Sequence, residues 1–462
     1  VIAFITKYPY LGLRDLSLDE PFTLFHSQYS ISEIVKLSSK GEPHPPLFML
    51  LVHWWNLWAD YDVAKLRLLP LLFHALTAPA LFFTGKKFFG LWAGIFAVGL
   101  FLVNNLFFYY SIELRGYGLF SLLSISALYF YFSATKKPNF WNLGFLLLCN
   151  VLLIYNHYFA LLIIGVQGLC ALFYIKDKRV FIRLLIVLLV TALLFSPLLE
   201  ILVNQFSKSS EGTWIKKPHP TDYKFYMWFF LNGSQNCKTL KALLIIGLVG
   251  VILFKRISSL DKRLLVALIW WFVPYTFMFL LSHTTPVFID RYLLFNSMGV
   301  FIFSGACLAC FYHNKWLQAG IVCFVLIQMN VNRVTISDGI ENYCKREHSK
   351  AISFINQHQD QNTVVGVYPP WVKYHFSFHY DLQSFKQLDN LVPALEEKNV
   401  IVSWGAREYF NLADEISADK VILFTNNGFQ KENELIKRLQ TRFPNRENHT
   451  FKQQVEVIIL SK

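Results

Sequence analysis

From residue 64 to residue 330 the chain is a succession of long apolar blocks separated by short polar islands. A bilayer core needs about 20 apolar residues in a helix to cross it. The blocks predict spans near 64–84, 90–108, 113–133, 141–156, 158–175, 180–200, 240–254, 264–281, 291–311 and 316–330. Val1–Thr6 is apolar but too short to cross, and it reads as the end of a first span. It has neither the basic start nor the cleavage site of a signal peptide. The block from Pro46 to Trp58 opens on Pro45-Pro46 and carries three tryptophans. It is too short to span, and a crossing there would invert every later loop. It is read as an interfacial or re-entrant helix with its tryptophans at headgroup level. The pattern changes after residue 330. Thr363–Tyr368, Val400–Trp404, Val421–Thr425 and Val455–Leu460 read as strands, and Ser349–His358 and Glu432–Arg442 as helices. The expected fold is mostly α: a polytopic membrane domain over 1–330, whose first external loop is 7–63, and a small soluble α/β domain over 331–462.

Composition agrees. Hydrophobic residues make up 54% and charged residues 16% of the chain, where soluble domains carry roughly a quarter charged residues. The net charge of +13 could suggest nucleic acid, but its position argues otherwise. Lys86-Lys87, Lys136-Lys137, Lys176 to Arg183, Lys255-Arg256 with Lys262-Arg263, and Lys315 fall in alternate loops. By the positive-inside rule those loops are cytoplasmic. The other loops and the tail from 331 are then external. The partner implied is a lipid bilayer and no nucleic acid. Cys149, Cys170, Cys307, Cys310 and Cys323 sit within apolar blocks as small packing residues. Cys237 and Cys344 lie in polar segments and leave room for one disulfide.

Several polar residues remain to be explained, and they share the external side. They are Asp19-Glu20, Glu42 and His44 in the first loop, Glu113, Arg115 and Tyr117 at one span end, His157 in a tight turn, and Asp290-Arg291-Tyr292 at another span end. Ionisable residues at membrane depth are costly and mark functional sites. Each has an ordinary explanation as well. Either arginine alone could snorkel to the interface. His157 could cap a turn, and Asp19-Glu20 could open a helix. These explanations account for each residue and not for the shared side.

Taken in order, Asp19-Glu20, His44-Pro45-Pro46, Glu113-Leu114-Arg115 with Tyr117, Asn156-His157-Tyr158 and Arg291-Tyr292 resemble the GT-C polyprenyl-phosphate-sugar glycosyltransferases. The closest group is the glycosyltransferase family 39-like bacterial enzymes, related to protein O-mannosyltransferases and lipid A aminoarabinose transferases. The resemblance covers residues 7 to 311. It implies a hexosyl- or pentosyltransferase of the bacterial inner (plasma) membrane, with its active site and C-terminal domain on the periplasmic or extracellular side. An acceptor hydroxyl on a lipid, glycan or protein attacks the sugar of a polyprenyl-phosphate donor, and the polyprenyl phosphate leaves, with inversion. Asp19 is implied as the general base, with Glu20 beside it orienting the acceptor or a neighbour. Arg115 and Arg291 are expected at the donor phosphate, which suits a guanidinium fork. Glu42, His44, Glu113, Tyr117, His157, Asp290 and Tyr292 are further candidates. No cofactor is required. A divalent metal would find ligands in Asp19, Glu20, Glu42, His44 and His157, but no strict ligand spacing is present and a metal is not favoured. A secondary transporter would place its charges nearer the midplane. A scaffold would leave these residues dispensable. A lipid-linked glycan polymerase or ligase shares the carrier but does not account for this motif order.

Overall fold

The computed structural model describes residues 1–16, 19–37, 44–211, 215–230, 232, 262–311, 314–331, 347–402, 417–425, 434–451 and 455–462. The chain is mostly helical, a polytopic membrane protein with a small sheet region near its C-terminus. It forms two compact units. The first holds Val1–Tyr8, Ser32–Leu51 and Arg67–Val334, and the second Pro9–Ile31, Val52–Leu66 and Thr335–Lys462.

Helices Val63–Phe89, Tyr117–Lys136, Lys178–Ser207, Lys262–Leu281 and Asp290–Ala309 are long and apolar enough to cross a bilayer. Leu47–Ala59, Leu91–Val103, Phe140–Asn156, Ala160–Tyr174 and Lys315–Ile327 are shorter apolar helices. Each expected span within the described residues coincides with one of these helices. The span expected at 240–254, together with Glu42, Cys237 and Cys344, lies outside the described residues. The block expected at 90–108 is two helices. Asn104 ends the first with an extended backbone, and its side-chain oxygen accepts from the N–H groups of Leu106 and Phe107 to cap the second, Asn105–Tyr110. Capping of this kind satisfies donors that a helix start would otherwise leave bare.

Helix Leu294–Phe311 is the centre of the first unit. It packs against Leu91–Val103, Lys262–Leu281 and Tyr117–Lys136. The overlapping span Asp290–Ala309 is 89% buried, whereas Lys178–Ser207, the most apolar of the long helices, is only 22% buried. Glycines permit the close approach. A Cβ added at Gly305 would stand 2.5 Å from the Ala93 carbonyl oxygen, and one at Gly299 would stand 2.8 Å from the Trp271 nitrogen. Within a membrane such small-residue contacts drive helix association, since lipid is as apolar as the helices. Lys87, Lys136 and Arg263 gather at one end of this unit. Lys87 Nζ donates to Tyr129 Oη at 2.8 Å and to Ser133 Oγ at 3.0 Å. Lys136 Nζ lies 5.2 Å from the Phe88 ring, and Arg263 Cζ lies 5.7 Å from the Phe89 ring. Lys136 closes the helix that Tyr117 opens, so the turn before Tyr117 is at the opposite end.

Among the described residues the second unit contains a five-stranded sheet. Its strands are β1 Thr363–Tyr368, β2 Val400–Val402, β3 Lys420–Thr425, β4 Asn445–Phe451 and β5 Val455–Ser461, ordered β2-β1-β3-β5-β4. β1 pairs in parallel with β2 and β3, while β5 runs antiparallel to β3 and β4. Val421, Leu423, Ile458 and Leu460 meet Ile436, Leu439 and Phe443 to form a core under helix Glu434–Arg442. The segment 9–31 packs onto helices of the tail. Phe25 lies 4.8 Å from the ring of Tyr374 and 5.4 Å from that of Phe385. Gln28 Nε2 donates to the Phe385 carbonyl at 3.3 Å, and His379 Nε2 is 3.2 Å from the Leu16 carbonyl oxygen. Much of the first loop therefore shares its packing with the tail.

Candidate functional site

Three turns of the first unit bring polar side chains together. The turn 111–116 joins helix Asn105–Tyr110 to helix Tyr117–Lys136, and Glu113 and Arg115 in it are both buried. The Arg115 N–H donates to the Glu113 carbonyl at 2.6 Å, which tightens the turn. Gly116 follows because nothing larger fits. A Cβ there would lie 2.9 Å from Asn156 Oδ1 and 3.3 Å from Phe48 Cβ. Asn156 Nδ2 in turn donates to the Gly116 carbonyl at 3.1 Å. The 116 turn is thereby tied to the second turn, which carries His157.

His157 caps helix Phe140–Asn156, in a turn outside the spanning segments. Its ring stacks on Phe120 at 4.9 Å and on Phe159 at 5.2 Å, and meets Tyr292 of the third turn at 5.5 Å. Tyr117 lies 6.5 Å away. His157 Nδ1 accepts from the Phe159 N–H at 3.3 Å. In the neutral ring the proton is then on Nε2, which is buried and has no hydrogen-bond partner among the described residues. Burial first, then His44 and Arg115, hold the His157 pKa well below the usual imidazole range. It is a neutral donor at physiological pH.

His44 completes the group. Its ring lies 5.2 Å from that of His157 and 6.5 Å from that of Tyr292. Arg115 Nη2 stands 3.1 Å from His44 Nδ1 and 3.4 Å from its Nε2, so the guanidinium donates to whichever ring nitrogen bears the lone pair. Arg291 lies beside Tyr292 in the 3-10 turn Asp290–Leu293, its Cζ 5.7 Å from that tyrosine ring. Its own N–H donates to Asp290 Oδ1 at 2.7 Å. Of the sequence candidates, His44, Arg115, Tyr117, His157 and Tyr292 thus form one cluster, and Glu113, Asp290 and Arg291 occupy the same turns.

Asp19 and Glu20 belong to the second unit. Asp19 is the N-cap residue of helix Glu20–His26, with Pro21 in its first turn, and its carboxylate makes no capping bond. Asp19 is half-buried. Glu20 is fully buried and pairs with Arg14, also buried, at 3.0 Å. The two neighbouring carboxylates therefore have different surroundings, as expected for residues that point apart. Sequence reasoning missed Arg14, and it missed Lys7, which is buried with its Nζ 5.7 Å from the Phe108 ring. Both are cations in a loop where the positive-inside rule expects few, and that was the signal available for them.

The fold matches that of the GT-C membrane glycosyltransferases. Specifically, the chain is similar to ArnT from Cupriavidus metallidurans in the apo state, with a TM-score of 0.62 and 13% identity over 99% of this chain and 96% of ArnT. ArnT bound to undecaprenyl phosphate superposes with a TM-score of 0.58 at the same identity and coverage. The archaeal oligosaccharyltransferase AglB from Archaeoglobus fulgidus, in complex with an inhibitory peptide and a dolichol-phosphate, gives 0.53 at 9% identity, over 92% of this chain and 69% of AglB. No family model and no curated protein matches the sequence. At these identities the likeness is one of fold.

Proposed function

We propose that this chain is a membrane glycosyltransferase that moves a sugar from a polyprenyl-phosphate donor to an acceptor hydroxyl on the outer side of the membrane. The observation that carries the reading is the likeness in fold to ArnT over nearly the whole of both chains. One ArnT structure holds undecaprenyl phosphate, and the AglB structure holds a dolichol-phosphate. The clustered side chains suit such a donor. A phosphate leaving group gains charge as the glycosidic bond breaks, and preorganised donors around it lower the barrier. Arg115 supplies a guanidinium, and His157 supplies an Nε2–H from a neutral ring. Arg291 is a second cation for the same role. Tyr117 and Tyr292 provide aromatic walls for a sugar or prenyl chain.

In this reading Asp19 is the general base. It takes the proton of the acceptor hydroxyl as the oxygen bonds to the anomeric carbon, and the C–O bond to the polyprenyl phosphate breaks. Glu20, held by Arg14, shapes the segment that presents Asp19. A single displacement inverts the anomeric centre. The acceptor is a lipid, glycan or protein hydroxyl, and the reaction requires no metal. Gathering of Lys87, Lys136 and Arg263 at the end opposite the cluster supports an extracytoplasmic site by the positive-inside rule. The test is mass spectrometry of lipid retained by the purified chain, followed by titration with polyprenyl phosphate. Retention of a polyprenyl phosphate, with affinity lost in Arg115→Ala, is the expected result. Equal affinity in the wild type, Arg115→Ala and Arg291→Ala would sink the assignment.

A further inference from the structure

The second unit holds a group of side chains that the transfer reaction does not use. Asp15 lies in the segment 9–31, His348 opens helix His348–His358, and His379 lies in the last turn of helix Lys373–Tyr380. One ligand atom of each lies within 4.8 Å of the other two. The two imidazoles are parallel, with an interplanar angle of 2° and ring centroids 6.0 Å apart. His348 is fully buried, while Asp15 and His379 are half-buried.

We propose that Asp15, His348 and His379 form a zinc site that clips the segment ahead of Asp19 to two helices of the tail. Two imidazole nitrogens and a carboxylate oxygen are the donor set of many zinc sites, with a water in the fourth position. Tetrahedral bonds of about 2.0–2.1 Å would put the ligand atoms roughly 3.3 Å apart. Side-chain rotations of about an ångström therefore close the present triangle around an ion. The surrounding bonds favour this. His379 Nε2 is 3.2 Å from the Leu16 carbonyl oxygen, and donation there fixes the tautomer in which Nδ1 bears the lone pair. A ligating histidine characteristically gives its other N–H to such a carbonyl. Asp15 Oδ2 accepts from Ser349 N and Ser349 Oγ, each at 2.8 Å, which orients the carboxylate. Capping of helix His348–His358 explains Asp15 by itself, but it does not explain why two imidazoles from two helices stand beside it.

The consequence would be structural. Binding energy at a site assembled from residues so distant in sequence is folding energy for the unit. The test uses the full chain purified in detergent without a histidine tag, stripped with chelator and dialysed against zinc. About one zinc per chain is expected, and cobalt substitution should give the intense visible bands of a tetrahedral ion. Zinc should be lost in His379→Ala and in Asp15→Asn, the latter keeping the side-chain shape, and retained in His449→Ala. Chelation should lower the melting temperature of the wild type by a few degrees, on the order expected for loss of a bound ligand, and leave Asp15→Asn unmoved. The proposal is overturned by a wild-type chain that binds no zinc, by zinc retained in both site variants, or by its loss from His449→Ala as well.

Discussion

The two units solve the cost of buried polarity differently. In the side-chain cluster of the first unit Arg115 meets an imidazole, and His44, His157, Tyr117 and Tyr292 pack ring against ring. In the second unit Glu20 is closed by a full ion pair with Arg14. A neutral ring can be buried cheaply and still hold a hydrogen-bond donor ready for a ligand. A charge pair cannot lose one member without stranding the other. The first arrangement suits binding and the second suits holding a segment in place.

The sharpest way to break this comparison is Glu20→Gln. It leaves the Arg14 guanidinium buried without its carboxylate, and unfolding free energy should fall by about 3–5 kcal/mol. Denaturant melts of the purified chain would show it, and a loss near zero would mean that the pair is not structural. Asp19→Asn probes the reaction instead. Turnover should drop by roughly a hundredfold or more, while melting and polyprenyl phosphate affinity stay near wild type. Near-normal turnover in a lipid-linked sugar transfer assay would remove Asp19 from the role.

Gly116→Ala tests how closely the first cluster is built. The added methyl must displace Asn156 or Phe48, at a cost of about 1–3 kcal/mol, the range for overpacking. The pH dependence of stability separates the units by pH window, with the same sign in both. His157 is held below the usual range, so under about pH 6.5 the unfolded chain takes a proton that the folded chain refuses. Its contribution is unchanged above that pH, and stability is lost as pH falls below it. The melting temperature of His157→Gln should therefore fall less between pH 6.5 and 5 than that of the wild type. Asp381 in the second unit behaves in a different window. Burial raises its pKa, but hydrogen bonds from Lys398 and Ser384 outweigh that and bring it to about 2. Its contribution is full above the unfolded carboxylate value and fades only as pH falls toward 2. It also caps helix Leu382–Phe385 through Gln383 N and Ser384 N. Asp381→Ala should cost about 1 kcal/mol in an equilibrium melt.

Long apolar blocks made the membrane helices legible, since few other structures use such runs. Four of the strands were legible because Thr363–Tyr368 and Val455–Ser461, for example, are nearly all apolar and flanked by polar turns. β4 was not. Its sequence NRENHTF lies at the sheet edge with mostly exposed side chains, so no buried face imprints a period of two. Helices Lys373–Tyr380 and Leu391–Glu396 were missed because they are short, and one is rich in aromatics and histidine while the other contains Pro393. The packing of segment 9–31 on the tail was also hidden. Phe22, Leu24 and Phe25 signal an apolar helix face, but nothing local to them names the partner found more than three hundred residues later. For the first cluster, motif order suggested which residues matter. That His44, Arg115, His157 and Tyr292 meet follows only from the segment ahead of helix Leu47–Ala59 joining three turns, and Arg115's imidazole neighbour could not be read from spacing.

Helix Leu294–Phe311 places Asn296, Ser297 and Ser304 in fully or nearly fully buried positions at the middle of the first unit. A nascent segment with such groups partitions into lipid less readily than Lys178–Ser207, because each polar side chain carries a transfer penalty. The peripheral helix can enter the bilayer on its own account. The central one gains most from neighbours already in place, whose glycine-lined contacts replace lipid along its length. Biogenesis should therefore depend on order: Leu91–Val103 and Tyr117–Lys136 leave the ribosome long before Leu294–Phe311 and offer it a prepared slot. Moving that helix to the start of the chain would leave every contact chemically available and still deprive the protein of a route to them.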